Sequence, residues 1–542
     1  MSLLRRVAVA SLLVLSGCSG SSSDGPIGGD DTGDATSTDT DGPTDTGAPT
    51  DTATFDTAPP PPTSCPGRLA AVDPTGTVST VGSGTKGSCT EKALRDALTA
   101  ARAAGGGTVT FSCGGKATIV LTSALAVGSA KDKTVLLDGK GDVTLDGGGK
   151  TRILDLDNYT NLVVQRITLA NGFVAAGEPA TPNKPSDSGA AIRHPWFGTL
   201  KAIDVRFENN KCAGREGEIG GGAVFAGGLT EATFSGCQFL GNSASNGGGI
   251  LNRSSTLTIV DSQFLGNGAL SVGSGQFGNG GGVYVDGMND KVVGNLTVCG
   301  TTFEKNTAMT HGSGVFSYFY PGSASFIRDC SFDGNVFGTA GAGSGALYHE
   351  AAPLTLTGTT FSNHTTGQDA GAIFLGSKST ADVTNCTFAN NKVTRNGAGI
   401  FNGASTIHLT NCTFSGNDAD YGPAIFKGTT ATVTLKNTLF ARNTTANKYS
   451  ATSCHEAMTD LGGNLQWPAT KASGSADQPC VAGIKFADPL LGPLADNGGF
   501  TRTFALGTGS PAIGLATSCP ATDQRGKPRG SPCDTGAFEM QP

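Results

Sequence analysis

The chain holds 542 residues with a formal net charge of −7, 82 glycines and only 15% charged residues. Arg5 and Arg6, together with nine aspartates in residues 19–64, account for that whole charge; the remainder is neutral, which argues against nucleic acid as a partner. The single strongly apolar run, residues 7–15, is too short to span a bilayer, and the glycine content fits a turn-rich β protein.

Residues 1–17 read as a signal peptide, with Arg5 and Arg6 ahead of the apolar run. The run ends Leu15-Ser16-Gly17-Cys18, which resembles the bacterial lipobox. The resemblance implies that Cys18 becomes the lipidated first residue of an exported lipoprotein, held at the outer membrane or cell surface. Its membrane partner would then be engaged through the N-terminal lipid. Residues 18–64 form a linker whose only charges are aspartates, among Thr, Ser, Gly and Pro. Such a segment lacks the apolar surface to fold and repels itself into an extended form. Its stretch Asp39-Thr-Asp41-Gly-Pro-Thr-Asp45 resembles a calcium loop but lacks the closing Glu, so no metal is expected there.

Export makes disulfides available to the thirteen cysteines after Cys18. Cys89–Cys113, Cys454–Cys480 and Cys519–Cys533 are the candidate local pairs, because each closes a short segment outside the regular repeats. The odd count leaves at least one thiol unpaired within a monomer.

The body opens with Leu94, Ala97, Leu98 and Ala101 on one helical face, stopped by Gly105-Gly-Gly107. A helix here would plug the open end of a stack of strands. Strand-like segments come next, Val143-Thr-Leu-Asp-Gly147 and Leu162-Val-Val-Gln-Arg-Ile-Thr-Leu169. A repeat then dominates. Phe207, Phe239, Phe264, Phe303, Phe332, Phe361, Phe388, Phe414 and Phe440 each open Phe-x-x-Asn or, at Phe361, a near match; the last four are 27, 26 and 26 residues apart. In Ile407-His-Leu409-Thr-Asn-Cys412-Thr-Phe414-Ser-Gly-Asn417, two short strands meet at a bend near Asn411, and a third comes after the turn Gly397-Ala-Gly-Ile-Phe401. Three strands per repeat make a coil, and stacked coils pair equivalent strands in parallel about 4.8 Å apart. The pattern predicts a buried Phe column and a hydrogen-bonded column of Asn210, Asn242, Asn267, Asn306, Asn335, Asn391, Asn417 and Asn443, broken by His364. Cys237, Cys330, Cys386 and Cys412, each two residues before a Phe, are expected as buried thiols.

These motifs resemble the right-handed parallel β-helices of the pectin-lyase-like superfamily, and most of all the polymorphic outer-membrane protein repeats, whose signature pairs a GGAI-like tetrapeptide with Phe-x-x-Asn. Cys89-Thr-Glu-Lys-Ala-Leu-Arg95 distantly resembles the CSLREA motif that heads many such proteins. Asp488-Pro-Leu-Leu, Asp496-Asn-Gly-Gly499, Gly509-Ser-Pro-Ala-Ile513, Asp523-Gln-Arg-Gly526 and Cys533-Asp-Thr-Gly-Ala-Phe-Glu539 resemble the choice-of-anchor Q domain of bacterial surface proteins. The implied fold is all-β, a right-handed parallel β-helix over 65–480 with an N-terminal cap helix and a C-terminal cap over 481–542. Asp523, Arg525, Asp534 and Glu539 read as residues that build that cap.

Many β-helices are polysaccharide lyases or hydrolases. Lyase chemistry needs a base near a sugar C5 proton and a group to neutralise the uronate, often calcium; hydrolysis needs two suitably placed carboxyls. The candidates for catalysis are Asp286, Tyr318 and His349, each four residues beyond the last glycine of its turn and so expected to stack on successive coils, with Tyr320 and Glu350 beside them. His194-Pro-Trp-Phe197 and Arg215-Glu-Gly-Glu218 lie in longer inserts, where Trp196 is expected to pack locally. No zinc spacing, nucleophile elbow or phosphate loop is present. The sequence therefore favours a monomeric, lipid-anchored surface protein without a cofactor, acting in adhesion, envelope structure or glycan binding, with glycans or surface proteins as partners. The alternative is a polysaccharide lyase or glycoside hydrolase, and only that alternative calls for calcium.

Overall fold

The computed structural model describes residues 64–176, 187–214, 219–270, 278–287, 294–320, 322–338 and 344–542. Residues 1–17, read above as a signal peptide, Cys18, almost all of the expected linker with its calcium-like stretch, and Arg215-Glu-Gly-Glu218 lie outside those residues.

Among the described residues the body stacks into sheets of 23, 8 and 14 strands, parallel throughout, with one small antiparallel pair at Leu491–Ala495 and Thr503–Leu506. The largest sheet takes two strands from most coils, and at Ile373–Thr384 and Ile400–Thr410 those two run together. The architecture is that of a right-handed parallel β-helix.

The repeat supplies the register directly. Phe207 pairs with Phe239, Phe239 with Phe264, and so on coil by coil to Phe440. All nine rings are fully buried, and neighbouring centroids sit 4.4 to 5.5 Å apart. Beside them runs the Asn column. Asn242 Nδ2 donates to Asn267 Oδ1 at 2.9 Å, and the Asn242 backbone N–H donates to the same oxygen at 3.0 Å. Asn267, Asn306, Asn391 and Asn417 repeat this double contact with the following Asn. At a tight corner each amide thus satisfies backbone groups that the bend takes out of the strand ladders. Cys237, Cys330, Cys386 and Cys412 are buried free thiols, as is Cys212.

The bend between the two halves of each Phe-bearing segment has its own cause. Asp204, Asp261, Asp329, Asn385, Asn411 and Asn437 hold positive φ there, near 50°, a left-handed conformation that Asn and Asp adopt more readily than most residues.

Helix Glu91–Ala103 closes the N-terminal end. Thr90 caps it, and Leu94, Ala97, Leu98 and Ala101 are buried against the first strands. Cys89–Cys113 ties its start to the coil. Residues 65–76 take a path that their sequence does not announce: they run along the outside of the solenoid. Cys65 is bonded to Cys299, Arg68 pairs with Asp204 at 2.6 Å, the Leu69 N–H reaches Ser235 Oγ, and Val72 bonds Gln165 through both backbone groups. The segment finally becomes strand Val78–Val81 beside Gly107–Phe111.

At the other end, Cys454–Cys480 staples the last coils and Lys485–Phe486 pairs with Leu465–Trp467. The C-terminal segment does more than close the coil; it folds back along its flank. Ala537 N–H donates to Thr413 Oγ1, Thr387 Oγ1 to Gln524 Oε1, Gln524 Nε2 to Thr360 Oγ1, and Thr360 Oγ1 to the Arg502 carbonyl. A column of threonines on the sheet is thereby covered. Asp523 accepts from the backbone of Arg525, Lys527 and Glu539, and Glu539 from Gly530, Asp534 and the Arg529 guanidinium. The Arg525–Asp523 and Arg529–Glu539 pairs are almost wholly shielded from water. These contacts hold the segment in shape, with Cys519–Cys533 as a further tie.

Candidate functional site

The third strand of each coil comes directly after its glycine turn and puts one side chain inward and the next outward. The outward positions form a second column: Phe225, Leu251, Tyr284, Phe316, Tyr348, Phe374, Phe401 and Phe426. From Tyr284 to Phe426 successive rings lie parallel at 4.8 to 5.0 Å, and His455 continues the stack at 4.4 Å. Each ring face is covered by its neighbours, so only ring edges are left to face outward. Two residues further along each strand, Arg253, Asp286, Tyr318 and Glu350 align on successive coils.

That alignment corrects one sequence expectation. Asp286 and Tyr318 do share a column, but the third member is Glu350, not His349. Ala346 occupies the position of Gly282 and Gly314, since Leu347 pairs with Val315 as Val315 pairs with Val283; a count from Gly345 therefore stops one residue short. His349 points into the core. It is fully buried, with Nδ1 2.9 Å from Ser317 Oγ and Nε2 donating to the Ala352 carbonyl at 2.9 Å. Burial pushes its pKa down to about 4.

Outside, Glu350 is held by donors. Tyr348 Oη and Ser377 Oγ both bond it, and the side chain lies over Gly376, towards the following coil and away from Tyr318. Tyr284 Oη likewise bonds Asp286. Tyr320 lies over Gly287 and meets Tyr318 edge-on at 5.8 Å. A pocket of about 190 Å3 opens between Tyr318, Tyr348 and Glu350 on one side and Asn279, Thr310 and His311 on the other. Burial holds the His311 pKa near 4, against a smaller opposing pull from Glu350. Burial, then the Glu350 and Asp286 carboxylates, raise Tyr318; burial, then Glu350, raises Tyr348. At neutral pH the pocket offers two protonated phenols, an uncharged imidazole and a carboxylate. Such a set donates and accepts hydrogen bonds well, but neither phenol nor imidazole is tuned towards proton transfer near pH 7.

The other singled-out insert is structural. His194 is buried and bonded to the Thr160 carbonyl at 2.7 Å, Phe197 stacks on Tyr159 at 4.7 Å, and Trp196 packs against Gly228. Among the described residues no group of three His, Cys, Asp or Glu is placed to hold a metal ion, and no helix is long and apolar enough to cross a membrane.

Sequence reasoning missed the outer aromatic column, although its signal is present: an aromatic comes after the inward apolar residue of the turn motif, as in Gly280-Gly-Gly-Val-Tyr-Val285 and Gly397-Ala-Gly-Ile-Phe401. Comparison with known families gives one match, to the model of the right handed beta helix region, over residues 271–444. No curated protein matches the chain significantly. The matched residues include most of the outer aromatic column and the pocket residues.

Proposed function

We propose that this chain is an exported, lipid-anchored cell-surface protein whose β-helix serves as a non-catalytic scaffold that binds glycans, in adhesion or envelope structure. The observation that carries the reading is the pocket itself: hydrogen-bonding groups of both kinds set among aromatic edges, with His349, the neighbour of Glu350, turned into the core. Carboxylate and amide groups of this kind suit the hydroxyls of a neutral sugar. The polymorphic outer-membrane-type repeats and the choice-of-anchor Q-like C-terminal segment support a surface location. The lipobox supports the anchor.

A second reading keeps hydrolysis in view, because Asp286 and Glu350 sit on one column with Tyr318 between them. Two coils separate their backbones by roughly 10 Å, just past the 6.5–9.5 Å range for carboxyl groups in an inverting pair. Glu350 leans away from Asp286 and lengthens that gap. The distances favour binding.

A glycan panel scored for binding and for new reducing ends or unsaturated products separates the two. The full-length protein is expected to bind without forming product. Tyr318→Ala with Glu350→Gln is expected to weaken that binding at least tenfold while leaving the melting temperature unchanged. Product that disappears in the double variant would overturn the scaffold reading. The anchor has its own test: Cys18→Ala should move the protein from the detergent phase to the aqueous phase, and a variant that still partitions into detergent would refute lipidation.

A further inference from the structure

We propose that the C-terminal end of the solenoid carries a separate, anion-selective site for an acidic saccharide, centred on Arg442, Lys448 and Lys471. A pocket of about 530 Å3 lies between residues 442–448, directly after the strand Leu439–Ala441, and residues 468–473, directly after Leu465–Trp467. Its wall contains these three cations and no carboxylate. The body as a whole is neutral, so this is a local concentration of charge.

The cations are not consumed elsewhere. None of the three forms an ion pair among the described residues. Arg442 is pinned by one bond from Nη2 to the Leu491 carbonyl at 2.5 Å, which leaves its other donors to a ligand. Lys448 Nζ rests 4.9 Å from the centre of the exposed Tyr449 ring. Lys471 is half-buried, and its backbone is fixed by a turn in which its N–H reaches the Ser475 carbonyl and its carbonyl accepts from Gly474.

Two nearby acids are already engaged, and Asp420, whose backbone carbonyl accepts from Thr445 Oγ1, lies outside the pocket lining. Asp477 accepts from Thr452, through both N–H and hydroxyl, and from Gln466 Nε2. Asp418 takes Lys392 at 3.1 Å and Thr444 Oγ1. The loop is also shaped in advance: Thr445 Oγ1 accepts from the Asn447 N–H and Asn447 Oδ1 from the Tyr449 N–H, two side-chain turns in succession. A preorganised wall loses less order when a ligand arrives.

The volume selects the ligand class. It falls in the range of small-molecule sites and exceeds what a bare inorganic anion fills. Ala446, Pro468 and Ala472 supply apolar patches beside threonine and serine hydroxyls, which matches a sugar ring with C–H faces and a hydroxyl rim. The three cations supply the charge that a carboxylate or sulfate substituent requires. This site stands apart from the Tyr318–Glu350 pocket, and its assignment does not depend on that reading.

Titration calorimetry of the full-length protein at low salt tests it, with glucuronic acid, glucose 6-sulfate, glucose and inorganic sulfate as probes. Both acidic sugars are expected to bind at least tenfold more tightly than glucose or inorganic sulfate, and more weakly as salt rises. Lys448→Gln with Lys471→Gln is expected to weaken the acidic sugars at least tenfold with an unchanged melting temperature, whereas Tyr318→Ala with Glu350→Gln leaves them unaffected. Glucose binding that equals the acidic sugars and persists in Tyr318→Ala with Glu350→Gln, inorganic sulfate as tight as the sugars, indifference to the lysine double variant, or no binding of either acidic sugar would each overturn the assignment.

Discussion

Phe388→Ala is expected to destabilise the solenoid by about 3–5 kcal/mol, the range for truncating a buried aromatic. The ring is fully buried and lies between Phe361, at 5.5 Å, and Phe414, at 4.4 Å, almost parallel to both. The cost should fall towards the upper end because the site cannot collapse. The neighbouring rings are fixed by strand pairing, Phe361 with Phe388 and Phe388 with Phe414, so closing the void would require the coils themselves to shift. Denaturant midpoints measured for the parent and the variant provide the check. Tyr449→Ala, at an 80% exposed ring, is the control and should change stability by about 0.5 kcal/mol or less. Equal stability of parent and Phe388→Ala would contradict the packed column.

The fold was readable because its elements are repeated. A single Phe-x-x-Asn says little, but eight in series, with a near match at Phe361, fix the inward column, the corner amide and the coil length together, and each reappears in the pairing of Phe207 through Phe440. The helix at Glu91–Ala103 was equally plain, since its four apolar residues share one face. What escaped was whatever depends on a single contact between distant segments. Cys65 joins Cys299 across 234 residues, and nothing in either local sequence marks the other. The return of the C-terminal segment along Thr360, Thr387 and Thr413 was hidden for a related reason. Threonine is an ordinary strand residue, and only the incoming Arg502, Gln524 and Ala537 give those hydroxyls partners.

The candidate site was legible in part. Asp286, Tyr318 and Glu350 do meet on one face, yet the sequence count that gathered them put His349 where Glu350 stands. On a strand a slip of one residue exchanges inside for outside, which turned a core imidazole into an apparent catalytic base. The Arg442–Lys448–Lys471 pocket had no local signature at all, because its charges come from two loops that only the coil brings together.

The second large effect concerns acid. His364 stands in the Asn column, where its Nδ1 accepts the Asn335 N–H at 3.1 Å and its own N–H bonds Asn391 Oδ1 at 3.2 Å. An Nδ1 that accepts carries no proton, so the ladder requires a neutral imidazole, with the remaining proton on the buried Nε2. Burial, outweighing a contact with the Asn335 carbonyl and the pull of Asp333, lowers its pKa from 6.5 to about 4. The folded pKa lies below the unfolded one, so between those values the unfolded chain holds the extra proton. Stability is therefore unaffected above pH 7, falls as pH drops through 6.5, and has lost this contribution in full below about pH 4. The size is on the order of 3 kcal/mol at 1.36 kcal/mol per pKa unit. His364→Asn restores the residue found at the other ladder positions, whose Nδ2 donates to a Phe carbonyl of the preceding coil, as Asn335 does to Phe303 at 2.8 Å. Buried His194 and His349 and the surface carboxylates titrate alike in parent and variant, so their effects cancel in the comparison. Denaturant unfolding at pH 7 and at pH 4 should then show a stability difference between variant and parent that grows by about 3 kcal/mol in favour of Asn at the lower pH. A difference that stays constant across that interval would mean that His364 is protonated in the folded ladder.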